Sequence, residues 1–250
     1  MALSTRAEDE YLVGVGKADI TGPVADVNLM GYANPTQIAG GILSRQYARA
    51  FIVAEARDPS ARFVFVNLDA CMGSQAVTRG VISALESRFG SLYSDSNVAL
   101  SGTHTHSGPA GFLQYLVYSL TALGWVSQTY DALVEGIVRA VERAHEDLRP
   151  GSLAAGGAEL LGANINRSPT AYRANPQWER DMYAHDIDKT LTLLRIDQAK
   201  KEGGGLTVGA FSWFPVHGTS VNNTNTLVNG DNKGLASQLM ERELLRRAER

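Results

Sequence analysis

Phe63-Val64-Phe65-Val66-Asn67-Leu68, the helical stretch Gln75 to Phe89, and Val98-Ala99-Leu100 form the part of the sequence that decides the fold. The first run is short, aromatic and β-branched, the composition of a strand buried in a sheet. In the second, Val77, Val81, Ile82, Leu85 and Phe89 recur at helical spacing, and Gly90 offers a left-handed stop. The third reads as another strand. Strand, helix, strand in that order is a βαβ crossover, which places two parallel strands in one sheet.

Outward from this unit, Tyr11 to Val15 and Tyr47 to Ala54 read as strands. A second amphipathic helix is expected from about Tyr130 to Leu148, with Leu133, Val134, Ile137, Val138 and Val141 on one stripe and Pro150-Gly151 ending it. Thr190 to Ile196 and Leu206 to Trp213 flank the turn Lys200-Lys201-Glu202-Gly203-Gly204-Gly205 and predict an antiparallel hairpin. A last helix begins near Leu235 and is still helical in pattern through Glu241-Arg242-Glu243-Leu244-Leu245-Arg246-Arg247. The expected fold class is α/β: a mixed sheet with flanking helices, containing βαβ units and an antiparallel hairpin.

Composition narrows the function. The 250 residues are 44% hydrophobic, enough for a substantial core, and the net charge of −3 gives no electrostatic case for a nucleic-acid partner. Cys71 is the one cysteine, so neither an intrachain disulfide nor a Cys-rich zinc site can form. Met1 to Glu10 is polar and carries Glu8, Asp9 and Glu10, unlike a secretory signal. No run of about 18 apolar residues occurs, so no transmembrane segment is expected. Gly14-Val15-Gly16-Lys17 resembles a phosphate loop only superficially, and no Gly-x-Ser-x-Gly nucleophile elbow is present.

Three stretches could carry chemistry. Ser101-Gly102-Thr103-His104-Thr105-His106-Ser107-Gly108-Pro109 directly follows a strand, where open α/β sheets place their ligands. On an extended chain His104 and His106 point the same way, about 6–7 Å apart. Such a pair can chelate zinc, can divide metal binding from proton handling, or can simply bond to backbone in a polar loop. In Trp213-Phe214-Pro215-Val216-His217-Gly218-Thr219-Ser220, His217 lies just past another strand and Gly218 permits close backbone approach. Alone it reads as structural; beside His104 and His106 it becomes a candidate ligand. In Asn164-Ile165-Asn166-Arg167-Ser168-Pro169, local sequence reads first as a solvated turn with a glycosylation sequon at Asn166, although Arg167 could clamp a carbonyl or hydroxyl. His145, near a helix end, reads as surface, and His185 lacks a functional setting. Phe112 to Val126 has the composition of a core helix or of an apolar wall beside the histidines.

Taken together the motifs resemble those of the neutral (alkaline, non-lysosomal) ceramidases. The likeness rests on Ser101 to Pro109, Gly31-Tyr32-Ala33, Arg49-Ala50-Phe51, Asn164 to Pro169, Val216-His217-Gly218-Thr219 and Asn229-Gly230-Asp231-Asn232-Lys233-Gly234, in order from about Tyr11 to Leu245. The resemblance implies that residues 11–250 are the N-terminal part of a ceramidase catalytic domain, preceded by a polar tail at 1–10. It implies hydrolysis of the ceramide amide bond with Zn2+ held by His104 and His217, His106 beside the metal in proton transfer, and Arg167 on the substrate's polar head. A second cation, Ca2+ or Mg2+, would take a backbone carbonyl from Leu43. Peripheral contact with a membrane surface and a secreted, cell-surface or secretory-pathway location are implied as well.

In that family the remaining zinc ligands, a glutamate and a tyrosine, and a catalytic serine in a Gly-Asp-x-Ser-Pro-Asn segment lie downstream of the positions matched here. The expectation is therefore an N-terminal portion that is inactive alone. A zinc amidohydrolase for another N-acyl substrate, and a non-catalytic lipid-binding isoform, stay open as alternatives.

Overall fold

The computed structural model describes residues 11–200 and 204–248. Met1 to Glu10, read above as a polar tail, and the centre of the glycine turn, Lys201 to Gly203, lie outside the described residues.

Strands β1 (Tyr11–Asp19), β4 (Tyr47–Glu55), β5 (Arg62–Leu68), β6 (Val98–Gly102), β8 (Arg149–Glu159), β9 (Thr190–Ala199) and β10 (Gly205–Trp213) form a seven-stranded sheet in the order β10-β9-β8-β1-β4-β5-β6. Helix α1 (Gln75–Phe89) joins β5 to β6, which pair in parallel, so the βαβ unit stands. Ser74 opens this helix by accepting from Val77 N, and Gly90 at φ 61° closes it. The remaining pairs in the sheet are antiparallel, β9–β10 among them, as the hairpin reading expected. A smaller sheet, β11-β3-β2-β7, combines β2 (Ala25–Met30), β3 (Ile38–Ile42), β7 (Gly108–Pro109) and β11 (Leu227–Val228).

Alternation along the central strands splits the large sheet into two faces. Val64, Val66 and Leu68 of β5, with Ala48, Ala50 and Ile52 of β4, point to one side. There they meet Val77, Val81 and Leu85 of α1 and Leu133, Ile137 and Val141 of α3 (Ser127–Glu146). Helix α3 sits very close to β1. A Cβ on Gly14 would lie 2.0 Å from Ala144 O, and one on Gly16 would lie 2.1 Å from Ala140 O. The Gly14-Val15-Gly16 sequence is thus a docking groove for a helix.

The opposite face carries Val13, Val15, Phe51, Val53 and Phe65, and strand β10 folds back onto it. Phe211 of β10 reaches Phe65 of β5 at 4.8 Å and Phe51 of β4 at 5.0 Å between ring centroids, although β10 and β5 are far apart in strand order. A register shift between Thr207 and Gly209 helps β10 bend. The sheet is consequently curled, with β10 turned back toward β4 and β5.

Several expectations are corrected. Pro150-Gly151 does not merely stop a helix: α3 ends at Glu146, and the two residues open β8, where Pro150 pairs with Leu12. Phe112 to Val126 is not a core helix. Phe112 and Leu113 are buried, but the short α2 (Leu116–Thr121) exposes Leu116, Val117 and Leu120 to solvent. The last helix, α6 (Asp231–Ala248), starts four residues before Leu235. His145 is half-buried and bonded to the Tyr93 hydroxyl at 2.6 Å, so it belongs to a structural cluster with Phe89 and Tyr93.

Substituting Gly16→Ala is expected to push α3 off β1 and lower stability by about 1–3 kcal/mol, the usual range for overpacking. Urea denaturation of the two proteins measures it, and an unchanged midpoint would contradict the close packing.

Candidate metal centre

His104 stands two residues beyond the end of β6, and His217 stands four residues beyond the end of β10. The curl of the sheet brings both strand ends to one place. The Nε2 atoms of His104 and His106 are 3.2 Å apart, and those of His106 and His217 are 3.1 Å apart. The three rings form a nearly equilateral triangle with centroid separations of 4.6, 4.7 and 4.9 Å.

Backbone geometry creates this approach. His104 adopts φ 67°, a left-handed conformation that a non-glycine residue rarely takes and that the surrounding contacts must hold in place. Its own N–H donates to Ala70 O. Gly218 lies directly against it: a Cβ there would be 2.3 Å from His104 O, so the second histidine segment reaches the first only because this residue has no side chain. Asn164 ties in the third stretch. Its Nδ2 donates to Pro215 O at 2.8 Å and to Asp188 O at 2.9 Å. The neighbouring Arg167 is exposed, yet its positive charge helps to depress the pKa of both His106 and His217.

His104 Nδ1 lies 2.7 Å from Cys71 O, an acceptor, so Nδ1 carries the proton and Nε2 presents a lone pair toward His106. Burial, followed by the neighbouring His104 and His217, pushes His106 down to about 4, so it is neutral at pH 7. Burial and the same kind of neighbours also lower His217. Three imidazoles gathered around His106 Nε2 can fit a cation between them. In tetrahedral zinc sites, Zn–N bonds of about 2.0–2.1 Å separate two nitrogens by roughly 3.3 Å, close to the spacing seen here.

Cys71 is also near. Its Sγ is 3.7 Å from His104 Nδ1, and ligand atoms of Cys71, His104 and His106 all lie within 4.8 Å of one another. The thiol is a poorer third donor than His217. Burial pushes it up to about 12, which keeps it protonated, and it faces the nitrogen of His104 already bonded to backbone.

Leu43 is not drawn into this group. It is exposed beyond β3 and donates its N–H to Val228 O at 2.9 Å. Two residues not marked out by the local sequence chemistry lie near the histidines. Tyr32 meets His106 edge to face at 4.5 Å and donates its hydroxyl to Val221 O. Asp231 is close enough for its charge to oppose the depression of His106 and His217. Both belong to motifs quoted above, but nothing in their spacing marks them as neighbours of His106.

A histidine whose pKa is lowered in the folded state binds its proton in the unfolded chain first. Its contribution to stability is therefore complete above about 6.5 and is lost as pH falls from there toward about 4. Chelator-treated protein is expected to lose urea resistance between pH 7 and pH 5, with a shallower loss in His106→Gln. Equal slopes for the two proteins would contradict the burial assigned to His106.

The chain is also similar to known proteins over nearly its whole length. Residues 11–250 match the family model described as neutral/alkaline non-lysosomal ceramidase, N-terminal. Neutral ceramidase 1 of Arabidopsis thaliana is 53% identical over 94% of this chain and 29% of its own length. Neutral ceramidase of Drosophila melanogaster is 46% identical over 93% of this chain and 32% of its own. The crystal structure of neutral ceramidase from Pseudomonas aeruginosa superposes with a TM-score of 0.86 at 42% identity, covering 95% of this chain and 37% of that one. The chain thus spans about a third of the length of the relatives it matches. On this evidence the chain belongs to the neutral/alkaline non-lysosomal ceramidase family, whose N-terminal region it matches from residue 11 to residue 250.

Proposed function

We propose that this chain supplies the histidine side of a zinc centre that hydrolyses the amide bond of ceramide, yielding sphingosine and a fatty acid. The observation that carries the reading is the meeting of His104, His106 and His217 nitrogens at 3.1–3.2 Å from two segments more than a hundred residues apart. A bound zinc supplies Lewis acidity toward an amide carbonyl.

The chain's own groups divide the remaining work. His104 and His217 hold the metal through Nε2, and the Cys71 carbonyl keeps His104 in the required tautomer. His106 is neutral at pH 7, so it can accept a proton from the attacking water and pass it to the leaving amine. Arg167 is exposed beside the histidines, where its guanidinium can hold the polar head of the substrate. A second cation, Ca2+ or Mg2+, would take the backbone carbonyl of Leu43, which is exposed beyond β3.

A lipid substrate suits the segment after the histidines. From Ser107 to Tyr130 there is no charged residue, and Leu116, Val117, Leu120 and Leu123 are exposed together with Tyr115 and Trp125. Such a surface favours peripheral contact with a membrane, with aromatic side chains at the level of the headgroups. Among the described residues no helix is long and apolar enough to cross one. A secreted or cell-surface location accords with this reading.

The test has two parts. The isolated chain is expected to bind one zinc, with affinity lowered more than tenfold by His104→Ala or His217→Ala in competition with a chromophoric chelator. A chimera carrying residues 11–250 in place of the matching part of the Arabidopsis relative is expected to release fatty acid from ceramide in preference to other N-acyl substrates, and to lose that activity with either substitution. Hydrolysis that survives both substitutions would overturn the metal reading, and preference for a different amide would overturn the substrate. The isolated chain is expected to be inactive, a point that zinc-dependent ceramide hydrolysis by pure chain would refute.

A further inference from the structure

The segment Asn229 to Lys233, at the start of α6, touches both histidine segments at once. Asn229 N donates to Ser107 O at 3.0 Å, and Asn229 O accepts from Thr105 Oγ1 at 2.9 Å, which fixes the chain on either side of His106. Two residues later the contacts change partner. The Asp231 carboxylate accepts from Ser220 N at 3.1 Å and from Val221 N at 3.2 Å. Asn232 Nδ2 donates to His217 O and to Ser220 Oγ, both at 3.0 Å, and Lys233 Nζ donates to Phe214 O at 2.5 Å. The loop that carries His217 is thereby held at positions 214, 217, 220 and 221.

Two further features mark this segment as constrained. Asp231 is buried and adopts φ 53°, a conformation disfavoured for a residue with a side chain and kept only where surrounding contacts over-determine it. The helix it opens is anchored from below: Arg49 bonds both Asp69, which is fully buried, and Glu241 of α6, at 2.9 and 2.6 Å. Between Phe214 and Val228 the His217 loop has no secondary structure of its own before β11 (Leu227–Val228). Its course is therefore set by these side-chain bonds, by Gly218, and by the bonds from Asn164 to Pro215 O and from Tyr32 to Val221 O.

We infer that Asn229 to Lys233 is a clamp that sets the separation of His217 from His104 and His106, with Asp231 and Asn232 as positioning residues for the metal. The inference rests on the metal-centre reading proposed above. Groups that orient first ligands commonly account for about 10–100-fold in metal affinity when they are removed.

Asp231→Gly, which relieves the unfavourable φ while deleting the carboxylate, and Asn232→Ala test the clamp. Each is expected to weaken Zn2+ binding about 10–100-fold in chelator competition. In the metal-free protein each is expected to speed amide hydrogen exchange at residues 104–107 and 215–221 while leaving α1 and β5 unchanged. Asp231→Asn, which keeps one side-chain oxygen, should recover part of both effects. Wild-type zinc affinity together with unchanged exchange in both variants overturns the clamp. If the unmodified chain takes up no zinc, the metal-centre reading is what fails, and the exchange data alone decide: unchanged exchange at 104–107 and 215–221 overturns the clamp, and acceleration confined to them supports it. Should Asp231→Gly fail to fold, Asn232→Ala decides by the same two readouts.

Discussion

The aromatic seam of Phe51, Phe65, Phe211 and Trp213 is the contact on which the rest of the molecule depends. A flat seven-stranded sheet would hold its outermost strands roughly 29 Å apart at about 4.8 Å per strand. Because β10 turns back so that Phe211 packs on Phe51 and Phe65, the loops that follow β6 and β10 open onto one rim. The histidines meet at that rim.

The rim is then refined by backbone contacts too short for side chains. His104 in a left-handed conformation and Gly218 against its carbonyl place two loops in direct contact. Neither feature stabilises the fold by itself, since the first carries a conformational cost and the second forgoes a side chain. Strain held by a firm scaffold is the usual condition of a site that must keep three mutually repelling donor atoms together.

Electrostatics at the rim run in one direction. Burial, neighbouring imidazoles and Arg167 all disfavour protonation of His106 and His217, with Asp231 the opposing charge. His106 and His217 thus stay unprotonated more readily near neutral pH, as the proposed cation-binding role requires. Below it, Arg49 bridges Asp69 and Glu241 and so ties the sheet to α6 through a charge network away from the histidines.

Much of the architecture was legible in the residues themselves. Alternation in Phe63 to Leu68 and the 3.6-residue stripe of Gln75 to Phe89 mark a strand and a helix because each period matches one buried face. The strand Arg149–Glu159 escaped notice because Arg-Pro-Gly-Ser-Leu-Ala-Ala-Gly-Gly-Ala-Glu has neither alternation nor β-branched residues. It is a strand because β9 pairs with nine of its residues. Phe112 to Val126 left a core helix and an apolar wall both open, since apolar composition does not say whether a segment is covered. His104 and His106 announce themselves by spacing, and His217 by its place after a strand. Their union, and the contacts of Asp231 and Tyr32 with the same centre, depend on distances between residues remote in the chain. Local patterns are fixed by the periodicity of the backbone, whereas the meeting of distant loops is fixed by how the sheet curls to bury its aromatic face, and that only the tertiary structure decides.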